Sequence, residues 1–423
     1  MKRTFFRFLA DLRFAIFILL LIALFSIIGT VIEQDQPIEI YKQNYPLLNP
    51  IFGFLSWDLI IKLGLDHVYK TWWFISLIII FGTSLLTCTI LQQLPSLKIA
   101  RRCQFFRIKR QFKKLRNYYE LNNPNVNQLL FKIQAKQYSI FQQKNIIYCY
   151  KGLIGRITPI IVHFSMIIIL VGSIYGSLTG FNAQEIIPKT EIFHIQNILS
   201  TGQLTKIPNI STRVNDFWIT YTNKTTINQF YSDISILNNS GSEINRQTIL
   251  VNYPETYKNT FFYQTDWNLV GLRLNINSLN QTIQYPLVSP FNKPEKLWVS
   301  WIPTSTMFED GATIVFNSLQ GFGLVYNKFG SYLGNWELNE NLQSYSLIKL
   351  VDIISSTGLQ IKMDPGIPLV YTGFGLLMIS TIVSYITYSQ IWIVKKNNNI
   401  FIGGNTSRAK FEFELEFFDL VQE

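Results

Sequence analysis

Four stretches of the chain are almost wholly apolar and contain no Asp, Glu, Lys or Arg: Phe14 to Ile32, Trp72 to Leu91, Ile157 to Leu178 and Gly366 to Tyr388. Crossing about 30 Å of hydrocarbon takes about 20 apolar residues at about 1.5 Å each. A backbone in lipid must satisfy its own polar groups, so each stretch is predicted to be a helix. Core helices of a large soluble protein are the alternative, and uncharged runs of this length weigh against it. Between the third and fourth runs the pattern changes. Short segments rich in Val, Ile, Thr, Tyr, Phe and Trp recur between Asn, Gly, Pro and Ser at 216–223, 229–237, 248–253, 261–267, 297–302 and 313–319. These read as strands. The expected architecture is therefore mixed: four transmembrane α-helices plus a large antiparallel β-rich extramembrane domain, sandwich or barrel-like, between helices 3 and 4. No internal repeat of solenoid period is visible.

Charge orients this scheme, because Lys and Arg near helix ends are retained on the cytoplasmic side. Lys2, Arg3, Arg7 and Arg13 precede the first helix, and residues 92–156 hold fourteen Lys or Arg against the single acid Glu120. Both segments are placed on the cytoplasmic or stromal side. Residues 33–71 are slightly acidic, and 177–365 carry fourteen acids against twelve bases, so both lie across the membrane. The expected order is 1–13 stromal, 14–32 helix 1, 33–71 lumenal, 72–91 helix 2, 92–156 basic stromal loop, 157–178 helix 3, 179–365 lumenal β domain, 366–388 helix 4 and 389–423 stromal. The net charge of +11 thus sits mostly in one loop, which reads as a topology determinant on anionic lipid headgroups. A docking surface for a partner is the other reading of that loop, and a nucleic-acid-binding face is not expected. Trp72 and Trp73 read as an interfacial aromatic belt.

Cys88, Cys103 and Cys149 form no CxxC or CxxCH, which excludes a covalently haem-bearing cytochrome and a dithiol oxidoreductase, and none falls in the β domain. The N-terminus runs into its first apolar stretch without a Ser/Arg-rich leader or an A-x-A-like cleavage site, so a retained helix and a bacterial or organelle gene are expected. Abundant Asn, Ile, Lys and Phe suggest AT-rich coding and lean toward a plastid.

No G-x-S-x-G, phosphate-binding loop, H-E-x-x-H or G-x-G-x-x-G followed by an acid is present, so no autonomous catalytic motif is legible. Three histidines remain. His163 lies six residues inside the predicted third helix, about 9 Å from its end. At about 100° per residue Pro159, His163, Ile167 and Leu170 share one face, while Gly172 and Gly176 project roughly opposite as a small-xxx-small pair for close packing. His163 therefore points away from that seam. An imidazole there is kept neutral, with a lone pair for a metal such as haem iron. A hydrogen bond to a backbone carbonyl or a polar residue of another helix is the competing reading. His67, at the far-side edge of helix 2, and His194, in the soluble domain, read first as surface or loop residues, with His67 kept as a secondary candidate for cofactor binding.

Six blocks then resemble the CcsB/ResB family, membrane subunits of the System II machinery for cytochrome c biogenesis, in the plastid and cyanobacterial form. They are LRFAIFILLLIALFSIIGTVIEQ (12–34), LGLDHVYKTWWF (63–74), GRITPIIVHFSMIIILVGSIYG (155–176), VNYPETYKNTFFYQTDW (251–267), STGLQIKMDPGIPLVYTGFGLLMISTIVSYITYSQIW (356–392) and GGNTSRAKFEFE (403–414). The resemblance implies a partner, a CcsA-type membrane subunit, with which the chain would form a cytochrome c synthase complex. Together they would carry haem b as transient cargo, keep its iron reduced and present it to apocytochromes c, in plastids cytochrome f and the soluble lumenal cytochrome. The implied place is the plastid thylakoid membrane with the large domain in the lumen, or else a bacterial inner or thylakoid membrane. His163 matches the family's transmembrane histidine, a candidate axial ligand, with the second ligand expected on CcsA. Where many relatives carry histidine near the end of helix 4, this chain has Tyr388, so a ligand there is not required. A non-enzymatic scaffold and a transporter are the rival functions. The single intramembrane His and the lack of an inverted repeat argue against the transporter.

Overall fold

The computed structural model describes residues 2–51, 53–122, 125–222, 226–276, 281–290, 296–303, 310–342, 345–396 and 399–422. The chain divides into two compact units, one made of Met1–Ser177 with Gly366–Glu423 and the other of Leu178–Pro365.

In the first unit, three helices are long and apolar enough to cross a membrane: α1 (Leu12–Val31), α2 (Trp72–Ala100) and α3 (Ile154–Thr179). Asp11 caps α1 by accepting from the Arg13 amide at 2.9 Å. Its carboxylate also complements the positive end of the helix dipole. α2 continues past the predicted end at Leu91, through a single π-helical turn at Thr89–Gln93, to Ala100. α3 starts before Pro159, which falls early enough in the helix that few intrahelical bonds are lost. The three pack through Ile18, Phe81 and Leu85, with Phe14, Ile22, Leu77, Met166, Ile167 and Leu170 around them. Trp72 stays 80% exposed, whereas Trp73 tilts against Phe25 with centroids 4.7 Å apart, so only one of the pair is free to sit at an interface.

The fourth apolar run departs from expectation. Its helix, α4, spans Ile367–Val383, 17 residues, which is short for a membrane crossing, and a turn follows. Tyr388 is not on this helix. From Ser389 the chain is a strand, Ser389–Lys396, the central member of a five-stranded antiparallel sheet ordered Asn117–Asn122, Asn399–Thr406, Ser389–Lys396, Ile146–Lys151 and Ser139–Gln143. Ile391 and Ile393 face a core closed by the helices Val126–Ala135 and Lys410–Val421 through Leu129, Ile133, Phe413 and Phe417. Trp392 and Val394 face a second cluster with Phe112, Tyr148 and Phe401. A strand buried on both faces reads as a continuous apolar run, like a membrane span. The basic segment 98–116 is anchored here as well: Phe106 stacks on Trp392 with centroids 4.5 Å apart, and the Trp392 indole donates to the Gln104 carbonyl at 2.8 Å.

The second unit is built from antiparallel pairings throughout its described residues. Its spine is the pair Thr260–Ile276 and Tyr345–Met363, extended by Phe181–Pro188 and Ile198–Thr201. Two further sheets join it: Ile192–Phe193, Ser211–Thr222, Thr226–Leu237 and Glu243–Leu250 in one, and a meander from Trp298–Pro303 to Tyr332–Glu337 in the other. The predicted strand segments fall on these elements, except residue 223, which lies outside the described residues, residue 297, one before its strand, and the ends of 248–253 and 313–319, which bend away. One core gathers Trp267, Leu272, Trp298, Phe316 and Trp336. Another gathers Phe181, Val214, Ile234, Phe262 and Leu359. Buried Ser232, Gln264 and Thr357 bond one another beside a bulge between Gln264 and Asp266. The bulge lets the polar trio satisfy itself inside the sheet stack.

Candidate functional site

The first two turns of α4 pack closely on α3. A Cβ added at Gly366 would stand 2.1 Å from the Gly172 oxygen and 2.8 Å from the Gly176 nitrogen. One at Gly373 would stand 2.6 Å from Ile169 Cγ1, and one at Gly172 would stand 2.9 Å from Leu369 Cβ. Toward the other end of α3, a Cβ at Gly155 would meet the Ile386 oxygen at 2.0 Å. Glycines thus let the two backbones touch, as small-xxx-small faces do.

His163 occupies the opposite side of α3, as its spacing from Gly172 and Gly176 requires. It is half-buried, and its Nδ1 lies 2.9 Å from Thr89 Oγ1 on α2. The Thr89 hydroxyl donates to the Leu85 carbonyl at 2.8 Å. The imidazole also hydrogen-bonds the Leu85 carbonyl, and among the described residues no group of three or more His, Cys, Asp or Glu is gathered that could hold a metal ion. The chain therefore presents one imidazole nitrogen rather than a closed metal cage. Because α3 begins at Ile154, His163 lies nine residues inside it, about 14 Å along the axis rather than about 9 Å.

Tyr388 is 3% exposed and immediately precedes the central strand of the sheet. Its hydroxyl donates to the Ala100 carbonyl at 3.0 Å and lies 3.1 Å from the Tyr148 hydroxyl. The Arg156 guanidinium sits 5.3 Å over its ring and reaches Ser96 Oγ at 3.2 Å. Tyr388 ties the end of α2 to the start of α3 and is spent on that task.

His67 is held elsewhere. It precedes the 3₁₀ turn Val68–Lys70, with Nδ1 2.9 Å from Asp66 Oδ1 and its side chain 45% exposed. Around it Gln34 accepts from the Val68 amide at 2.9 Å and donates to the Leu65 carbonyl at 2.9 Å, and Lys70 pairs with Asp35 at 2.9 Å. Thr89 lies seventeen residues beyond Trp72 on α2, about 25 Å along it, so His67 and His163 belong to opposite ends of the helix. His194 lies in the other unit, 3.4 Å from Ser211 Oγ. The structure does not bring His67 and His163 together. Thr89, the partner of His163, was invisible to sequence reasoning, since a threonine inside an apolar run carries no signal of its own.

Long apolar helices, an inserted antiparallel β unit and a lone helix-borne imidazole opposite a glycine seam mark a membrane protein with a large β-rich domain. A profile of the ResB-like family matches residues 12–317 and 331–418, and the chain belongs to that family. It is 66% identical over 422 residues to the cytochrome c biogenesis protein Ccs1 of Thalassiosira pseudonana and 61% identical over 422 residues to that of Phaeodactylum tricornutum, each match covering all of both chains. It is 46% identical over 428 residues to the cytochrome c biogenesis protein CcsB of Nostoc sp., a match that spans all of this chain and 93% of the relative.

Proposed function

We propose that this chain serves c-type cytochrome biogenesis as the membrane subunit that holds haem for attachment to apocytochromes. The observation that carries the reading is His163, a half-buried imidazole inside an apolar helix whose Nδ1 is engaged by Thr89 and whose ring also bonds the Leu85 carbonyl. Histidine is a common axial ligand of haem iron, and a ligand histidine ordinarily has its other ring nitrogen hydrogen-bonded. Haem b is the cargo, and it supplies the iron and the vinyl groups that end on the client cytochrome. His163 would hold the iron beside the apolar side chains of α1 and α2 that pack on α3, and a CcsA-type partner would supply the remaining ligand. The clients are apocytochromes c, cytochrome f and a soluble lumenal cytochrome among them, and the membrane is the plastid thylakoid. The chain works as part of a synthase complex, not as an enzyme by itself.

In this reading α4 is the fourth crossing. Its 17 residues are short, yet it starts against Gly172 and Gly176 of α3, and the turn that follows it meets Gly155 near the other end of α3. The β-rich unit then lies in the lumen, and the five-stranded sheet with its basic segment lies in the stroma, as the Lys and Arg bias directs. The test is the absorbance spectrum of the chain purified with its partner. A haem Soret band lost in His163→Ala supports the reading, and an unchanged band overturns it.

A further inference from the structure

We infer that Thr89 is a positioning residue that sets the tautomer of His163, holding the proton on Nδ1 so that Nε2 is the nitrogen offered to haem iron. The inference rests on the proposed ligand role of His163. A threonine hydroxyl has one proton, and in this structure that proton is directed to the Leu85 carbonyl at 2.8 Å. Toward His163 the Thr89 oxygen can then only accept, so the 2.9 Å contact requires a hydrogen on Nδ1. A neutral imidazole carries one ring proton, which leaves Nε2 bare. The two residues stand 74 apart in sequence and meet because α2 and α3 pack through Leu85, Met166, Ile167 and Leu170.

A second feature singles out the same residue. The π-helical turn Thr89–Gln93 begins at Thr89, and the Leu94 amide reaches back to the Thr89 carbonyl across it. One extra residue in a turn rotates everything beyond it by about 100° relative to a regular helix. The part of α2 that packs on α1 and α3 and the part that ends at Arg156 and Tyr388 are thereby set on different faces, and Thr89 is the last residue in phase with Leu85. Removing the hydroxyl takes away the imidazole's side-chain hydrogen-bond partner among the described residues and leaves it the Leu85 carbonyl, and losing a partner of a ligand histidine typically weakens metal binding about 10–100-fold.

The test uses the full chain in lipid nanodiscs with ¹⁵N-labelled histidine. His67, His163 and His194 are the only histidines, so a His163→Ala sample assigns the His163 signals by their loss. At neutral pH and without haem, His163 is expected to show a protonated Nδ1 and a bare Nε2. Thr89→Val, which keeps the shape and removes the hydroxyl, shifts the population toward the Nε2-protonated form and lowers haem retained on purification about 10-fold or more. Thr89→Ser restores both, which separates the hydrogen bond from packing. A wild-type His163 protonated on Nε2 overturns the inference at once, without needing any variant to fold. A Thr89→Val chain with unaltered tautomer and haem content overturns it too. If instead His163→Ala retains the Soret band, the ligand reading itself has failed, whatever the tautomer.

Discussion

Replacing Gly366 with alanine adds a single methyl group, and the structure says where it goes. The new Cβ would stand 2.1 Å from the Gly172 oxygen and 2.8 Å from the Gly176 nitrogen, both backbone atoms that no rotamer change can move. Comfortable non-bonded separations are about 3.5 Å, so α4 must back away from α3 by about 1 Å. A gap of that size forfeits about a quarter to a half of the dispersion attraction along the seam. In lipid that loss matters, because helix association there depends on packing rather than on the hydrophobic effect. Overpacking of this kind costs about 1–3 kcal/mol. Gly375 on the same helix is the matched control: a Cβ there meets nothing within 4 Å, and alanine is the better helix former. The assay is thermal unfolding of the detergent-solubilised chain, followed by loss of its monodisperse chromatographic peak. Gly366→Ala should melt several degrees below wild type, and Gly375→Ala at or slightly above it. Equal melting temperatures for the two variants would refute the contact between α3 and α4.

Tyr388→Phe should destabilise the chain by about 1–3 kcal/mol, since it leaves the Ala100 carbonyl without its side-chain donor and the Tyr148 hydroxyl short of a partner in a buried site. Its haem spectrum should match that of wild type, because Tyr388 is committed to tying helix ends, and a shifted spectrum would speak against that role. Thiol labelling with a maleimide at pH 8 should modify exposed Cys103 and spare Cys149, which is buried in the sheet with its thiol pushed up to about 12 by desolvation. A thiol is nucleophilic only as thiolate, so Cys149 should react only once the sheet unfolds, and its labelling in the folded chain would argue against the sheet.

What could be read from sequence follows from how local each signal is. An uncharged run of about 20 residues is a signal in itself, and both ends of α1 and α3 and the start of α2 were legible within a few residues, while the end of α2 lies nine residues beyond Leu91. The glycine face of α3 and the opposite placement of His163 were legible for the same reason, since both need only the helical repeat. The five-stranded sheet was not, because its central strand, Ser389–Lys396, pairs with Ile146–Lys151 more than 230 residues earlier. Ile391, Trp392, Ile393 and Val394 are buried on both faces, so they lacked the alternation that marks a strand. The polar residues of the preceding stretch, Ser384, Thr387, Ser389 and Gln390, were the available warning that the helix had ended. In the β-rich unit the aromatic and β-branched segments announced themselves. Phe181–Pro188, beginning two residues after α3, and Tyr332–Glu337, with its Gly334 and Asn335, did not. Thr89 gains meaning only from a neighbour on another helix.

The central claim, that His163 ligates haem, is tested most directly by purifying the chain with its partner subunit and comparing the absorbance spectra of wild type, His163→Ala and His194→Ala. A Soret band present in wild type, retained in His194→Ala and lost or shifted in His163→Ala is the predicted result. An identical band in all three would contradict the account.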